Sequence, residues 1–187
     1  MKTLLQGKAA TAVGVIIRKN LIKFNLPDGH SADFSAAVME IIFGQVQLEY
    51  NHVESGGYLT GYVSKETGNV TIDGISTPYN LDQRSLTHIY LRDPGHKNFL
   101  KTQRIHESYY LGLWHTHLEK CPEPSTCDKK DWKLTVKTDK STCRYFFFVI
   151  AGTKEMRVWV GEKYHNGKQK ISEIFEAENQ NGIYHSR

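Results

Sequence analysis

Leu111-Gly112-Leu113-Trp114-His115-Thr116-His117, continued through Cys121-Pro122-Glu123-Pro124 to Ser125-Thr126-Cys127-Asp128, is the stretch from which this chain is best read. It contains two imidazoles and a carboxylate within a short span, a mixed set that zinc accepts. Side chains on a strand alternate, so His115 and His117 project from one face, while Trp114, Thr116 and Leu118 project from the other. The apolar run before them suits a buried strand ending at a cleft. The two prolines that follow cannot extend a sheet interior and turn the chain back. Ser125 then opens a predicted helix with Asp128 in its first turn, able to face the imidazoles. Three protein ligands leave one tetrahedral position for water, as in catalytic rather than structural zinc sites.

Each of these residues also has a plainer reading. Ser125-x-x-Asp128 ahead of Trp132 and Leu134 is a helix capping box that needs no metal, and for those two residues alone it is the commoner case. A His-x-His pair on a strand is often just two polar residues on one face. His117-Leu118-Glu119 also fits the H-x-E of a zinc deaminase, but Cys121 and Cys127 are too far apart, and too close to Glu119, for that pattern. A structural zinc site built on Cys121 and Cys127 has poor spacing.

The pattern formed by His115, His117, Ser125 and Asp128, H-x-H-x7-S-x2-D, resembles the signature of the JAB/JAMM (MPN+) zinc metalloproteases, the deubiquitinase-like isopeptidases. Glu54-Ser55-Gly56-Gly57-Tyr58-Leu59-Thr60-Gly61 resembles the same family's upstream E-x-G-G-x-L-x-G stretch. A finer resemblance spans roughly Glu54 to Trp132. Thr77-Pro78 with Asp82 and Arg84-Ser85, then Arg92 to His96, then Tyr110 to His117, Pro122 to Ser125 and Asp131-Trp132 are similar to the JAB-domain proteases of bacterial anti-phage CBASS operons, also known as integrative-and-conjugative-element proteins.

The resemblance implies an α/β (α+β) fold of JAB/MPN, cytidine-deaminase-like architecture: a curved mixed β-sheet with flanking helices. It implies one zinc with a catalytic water, held by His115, His117 and Asp128. Glu54 would act as general base and acid, taking a proton from the attacking water and passing it to the leaving amine. Ser125 would donate to the developing oxyanion. The implied substrate is a cGAS-like nucleotidyltransferase conjugated to target proteins and cut after its C-terminal residue, with an E1/E2-like enzyme as operon partner. Two positions depart from the family: Leu118 replaces the usual proline, and Leu113 stands where relatives often carry glutamate. A JAB enzyme acting on another ubiquitin-like or sulfur-carrier protein, and a non-catalytic MPN scaffold, are the competing functions.

The rest of the chain is read from its residues. At 187 residues it suits a single domain, 1–187, with a polar, mobile tail from about 178. Hydrophobic content of 39% and charged content of 24% are ordinary for a soluble globular protein. A net charge of +4 is too small and scattered to argue for nucleic acid. Three cysteines, an odd count, suit a reducing cytoplasm, with Cys143 a buried small residue. The broken apolar run near Lys2, Gln6 and Lys8 leads us to expect no secretory signal, and no apolar run approaches membrane-spanning length.

Thr11 to Leu26 reads as extended, with Val13, Val15 and Ile17 alternating and then Ile22, Phe24 and Leu26. Pro27-Asp28-Gly29 is a turn, and a helix is expected from Ser31 or Asp33, with Phe34, Val38, Ile41 and Ile42 on one side. Glu54 begins a strand reaching Val63. Gly56 and Gly57 permit close backbone approach, which suits an extended substrate tail beside the strand; a β-bulge is the plainer explanation. Lys65 to Asn69 is a hairpin turn leading to Val70–Ile75. Asp93-Pro94 caps a helix running to about His106, with Phe99, Leu100 and Ile105 inward. The helix opened at Ser125 ends near Thr138, Tyr145–Ile150 is a buried strand and Met156–Val160 its partner. Ile171, Ile174 and Phe175 form one helical stripe.

Overall fold

The computed structural model describes residues 21–164 and 167–177. The predicted strand through Val13, Val15 and Ile17 and the predicted tail from about 178 lie outside the described residues. Among the described residues, ten strands and three helices follow one another: β1 (Ile22–Asn25), β2 (Ser31–Phe34), α1 (Ala36–Gly44), β3 (Gly56–Val63), β4 (Val70–Ile75), β5 (Gln83–Arg84), β6 (Ile89–Tyr90), α2 (Pro94–Ile105), β7 (Tyr109–Thr116), α3 (Thr126–Thr138), β8 (Tyr145–Ala151), β9 (Met156–Lys163) and β10 (Gln169–Ile174). Eight strands form one sheet in the order β1-β2-β4-β3-β7-β8-β9-β10, and β5 and β6 form a separate small hairpin. The β2–β4 and β7–β8 pairs are parallel and the other pairs antiparallel, so the sheet is mixed.

The sheet curves until its outer edges meet. Phe24 bridges Glu176, Asn25 N donates to Phe175 O at 3.1 Å, and Ala177 N donates to Lys23 O at 2.7 Å. This closure satisfies part of two edges that would otherwise present unpaired backbone groups.

β8 divides the core. All of its residues are buried, and they alternate between two apolar clusters, as expected for a strand covered on both faces. Phe147 and Val149 join Phe34, Val38, Ile42, Leu59 and Trp114 on the α1 side. Phe146, Phe148 and Ile150 join Trp132, Val136 and Trp159 on the α3 side, where Trp132 stacks on Phe148 at 4.8 Å. A bulge in β7 resets its alternation. Leu59 pairs with Gly112 and Thr60 with Tyr110, leaving Leu111 extra. Gly112 adopts φ 148°, and a Cβ there would strike the Phe147 carbonyl; only glycine accepts both conditions. From Leu113 the strand runs in regular register to His115.

Three sequence expectations are corrected. Ser31–Phe34 is a strand, not a helix start; the turn at Pro27-Asp28-Gly29 folds it back against β1, and Ser35 caps the helix instead by accepting from Val38 N. Accordingly Phe34 packs from the sheet, and Ile41 is exposed. Ile105 is 78% exposed. The inward stripe of α2 is His96, Phe99, Leu100 and Gln103, and Ile105 lies nine residues beyond His96, half a turn away from that stripe. The segment containing Ile171 and Ile174 is strand β10, not a helix; the odd offset sends Ile174 to one core cluster and Ile171 to the other, while Phe175 stays exposed. The expected turn at Lys65–Asn69, the start of α2 and the end of α3 match the structure. Among the described residues, no helix is long and apolar enough to cross a membrane.

A candidate metal centre beside a buried glutamate

The site forms where β7 ends between two neighbours. His115 is the second-last residue of the strand and pairs with Gly56 of β3 and Ile150 of β8. Beyond the strand, His117 N donates to Ala151 O at 3.0 Å, so the second imidazole keeps its place after the strand has ended. On the other side, Thr116 N donates to Ser55 O at 2.9 Å, and Ser55 N donates to Thr116 Oγ1 at 3.0 Å. Glu54, next in line, is thereby brought beside the histidines, with its Oε1 3.9 Å from His117 Nε2.

The chain then turns through Pro122-Glu123-Pro124 and re-enters as α3. Arg157 of β9 holds this turn by contacts to Glu123 and to Pro122 O (3.3 Å), and is itself held by Glu173. The capping box is real. Ser125 Oγ accepts from Asp128 N at 3.1 Å, and Asp128 Oδ2 accepts from Ser125 N at 2.7 Å. The helix dipole also favours a carboxylate in this first turn. The cap therefore aims the aspartate, and Asp128 Oδ1 lies 3.4 Å from His115 Nε2 and Oδ2 lies 3.8 Å from His117 Nε2.

The donor atoms of His115, His117 and Asp128 all lie within 4.8 Å of one another, the one such group of three among the described residues. The two Nε2 atoms face each other at 3.1 Å. A single proton can be shared between two such lone pairs, whereas a divalent cation satisfies all three donors together. Burial pushes His115 down to about 4, with His117 reinforcing and Asp128 opposing; the imidazole is thus neutral, the form that binds a metal. The residues present fit a zinc ion on the chemistry of their donors.

Glu54 is 4% exposed, and burial first, then the charge of Asp128, raise its pKa to about 8. Its backbone lies short of the β3 ladder and finds partners elsewhere. Glu54 N donates to Ser85 O at 2.8 Å, and Arg84 Nε donates to Glu54 O at 2.6 Å.

Gly56 and Gly57 are buried, and the neighbours that require them small belong to this chain: a Cβ on Gly56 would meet Trp114 O at 2.7 Å, and one on Gly57 would strike Ser76 O. The β3–β4 register shifts later, between Thr60 and Gly61, where Asp73 of β4 is the extra residue. Leu113 is half-buried, in contact with the α3-side core, and Leu118 is exposed at the site's rim. Cys121 and Cys127 are free and exposed, and Cys143 is partly buried against both clusters.

Sequence reasoning gave no role to Arg84, Ser85, Thr116, or the group of Ser76, Asp82 and His96. Arg84, Asp82 and His96 stood in the motif of the middle segment, but their partners are distant in sequence and no local periodicity reveals them.

A curved mixed sheet that brings a His-x-His strand end and a first-turn aspartate together beside a buried glutamate defines a JAB-type α+β domain. The chain belongs to the family described as prokaryotic homologs of the JAB domain, which it matches over residues 35–161. It is 31% identical over 147 residues to a protein of Escherichia coli (strain TW11681) named CD-NTase/cGAS isopeptidase, covering 77% of this chain and 88% of that protein. It is 30% identical over 125 residues to a protein of the same name from Vibrio cholerae serotype O1, covering 63% of this chain and 72% of that protein. The solution structure of protein DSY2949 from Desulfitobacterium hafniense is similar at TM-score 0.49 and 18% identity, over 78% of this chain and 88% of that one. The family and the relatives' named activity support a hydrolase of peptidase type.

Proposed function

We propose that this chain is a zinc-dependent isopeptidase of anti-phage defence. Its substrate is a cGAS-like nucleotidyltransferase joined through its C-terminus to target proteins by an E1/E2-like partner enzyme, and the bond cut is the one after that C-terminus. The observation that carries this reading is the convergence of His115, His117 and Asp128 within 4.8 Å, beside the buried carboxyl of Glu54. The names of the relatives supply the substrate class.

Zinc, when bound, supplies a Lewis acid and lowers the pKa of water to roughly 7. His115, His117 and Asp128 hold it. Glu54, buried with its carboxyl 3.9 Å from His117 Nε2, is placed to take a proton from the attacking water and return it to the leaving amine. Ser125 Oγ uses a lone pair to accept from Asp128 N, which leaves its hydroxyl proton free to donate to the oxyanion. The capping role and the oxyanion role are therefore compatible. The test is cleavage of a nucleotidyltransferase tail fused through its C-terminus to a reporter protein. The wild type should release the reporter and Glu54→Gln should not; an intact fusion with folded, zinc-loaded wild type contradicts the proposal.

A further inference from the structure

Glu54 has an unusual mooring. It precedes the first paired residue of β3, so its backbone cannot be held by that strand's ladder. One dipeptide from the middle segment takes both of its main-chain groups: Ser85 O accepts from Glu54 N at 2.8 Å, and Arg84 Nε donates to Glu54 O at 2.6 Å. Arg84 Nη2 donates to Ser55 Oγ at 2.7 Å, so the guanidinium grips two consecutive residues from one plane. Ser55 Oγ in turn donates to Gln45 Oε1 at 3.1 Å, just past α1.

The dipeptide is itself fixed to the sheet by a buried latch. Asp82, with a fully buried side chain, accepts from Tyr79 N, Arg92 N and Asp93 N, which folds the excursion between β4 and α2 upon itself. His96 connects that carboxylate to the sheet: Nε2 lies 2.8 Å from Asp82 Oδ2, and Nδ1 lies 3.0 Å from Ser76 Oγ. Ser76 Oγ also accepts from Tyr58 N at 2.8 Å, and Ser76 O accepts from Trp114 Nε1 at 2.8 Å. Serine, histidine and aspartate are a nucleophile's residue types. Here the serine is 2% exposed and already bonded to backbone, so the trio is a structural latch.

We infer that Arg84 is a positioning residue for the reaction, a strap that fixes the main chain of Glu54 and hence the distance from its carboxyl to the histidines. This rests on the assignment of proton transfer to Glu54. A planar guanidinium is needed because two acceptors on adjacent residues are gripped at once, a task that a single ammonium on a flexible stem does not reproduce. Arg84 is exposed, and its loss leaves both core clusters untouched.

The test compares wild type, Arg84→Ala and Arg84→Lys by hydrogen exchange at residues 54–57, zinc content, melting temperature, and kcat and KM on the tail fusion. The strap predicts that Arg84→Ala keeps its zinc and melting temperature. Exchange of the Glu54 amide should rise by about tenfold or more. Displacement of the base should lower kcat on the order of a hundredfold with KM little changed. Added ethylguanidinium should recover part of kcat in Arg84→Ala, and Arg84→Lys should remain slow. Unchanged exchange at Glu54 overturns the proposal whatever the activity does. A cleaving wild type matched by Arg84→Ala overturns the proposal alone. A wild type that cleaves nothing overturns the isopeptidase reading and the strap's catalytic role with it, even if exchange rises in the variant.

Discussion

Two histidine sites, His96 with Ser76 and Asp82 and His115 with His117 and Asp128, differ in what their nitrogens meet. His96 is 1% exposed and each ring nitrogen has one well-placed partner, Ser76 Oγ on one side and Asp82 Oδ2 on the other. His115 and His117 turn their Nε2 atoms toward each other and toward the Asp128 carboxylate. A buried histidine whose hydrogen bonds close within the fold contributes to stability, whereas a cluster of donors left converging is arranged for something that arrives from outside. Substitutions at the two sites should therefore separate chemistry from stability.

The largest effect is expected at Glu54. Glu54→Gln should retain zinc and lose about 10²–10⁴ in turnover, the range for a positioned acid–base group; a fusion-cleavage assay with parallel metal analysis checks both halves, and retained turnover would refute the proton-transfer role. Ser125→Ala comes next, with a barrier raised by about 3 kcal/mol if the hydroxyl serves the oxyanion, against a stability loss of about 1 kcal/mol from the cap. Unchanged turnover in the folded variant would leave Ser125 as a cap only.

At the other site the balance reverses. His96→Ala should lower unfolding free energy by about 2–3 kcal/mol, because the buried Asp82 carboxylate and the Ser76 hydroxyl each lose a partner, while the folded protein keeps its zinc. Denaturant melts and metal content measure the two, and loss of zinc without loss of stability would erase the distinction between the sites.

The metal-free protein offers a subtler test. Glu54 has a raised folded pKa, so the folded state holds a proton that the unfolded state releases, and stability falls as pH climbs from about 4.5 to 8. His115 has a lowered one, so its contribution rises from about pH 4 to 6.5 and then stops. The two oppose each other below pH 6.5, leaving a net decline between 6.5 and 8 that Glu54→Gln should flatten; chelator-treated protein melted at those two pH values shows whether it does. The smallest effect belongs to exposed Ile105, where alanine should change stability by no more than about 0.5 kcal/mol.

Ile105 also shows where reading by sequence stops. The strand end at His115, the cap at Ser125 and the placement of Asp128 were legible because each depends on neighbours a few residues away. The convergence of Glu54 on the histidines followed from a family resemblance and not from periodicity. Ser31–Phe34 and Ile171–Ile174 read as helical because runs this short carry no distinguishable period, although each pairs with the strand just before it in the chain. Arg84 and His96 looked like ordinary polar residues of a long connection. Their roles rest on contacts with Glu54 and Ser76, 30 and 20 residues away.

The central claim is that the converging donors hold a metal, and metal content tests it most directly. Mass spectrometry of purified wild type and His115→Ala, prepared in parallel and offered zinc, should find about one zinc per wild-type chain and none in the variant. A folded wild type without zinc after that incubation, or a His115→Ala protein that keeps it, would contradict the account and leave the motif as a strand end and a helix cap.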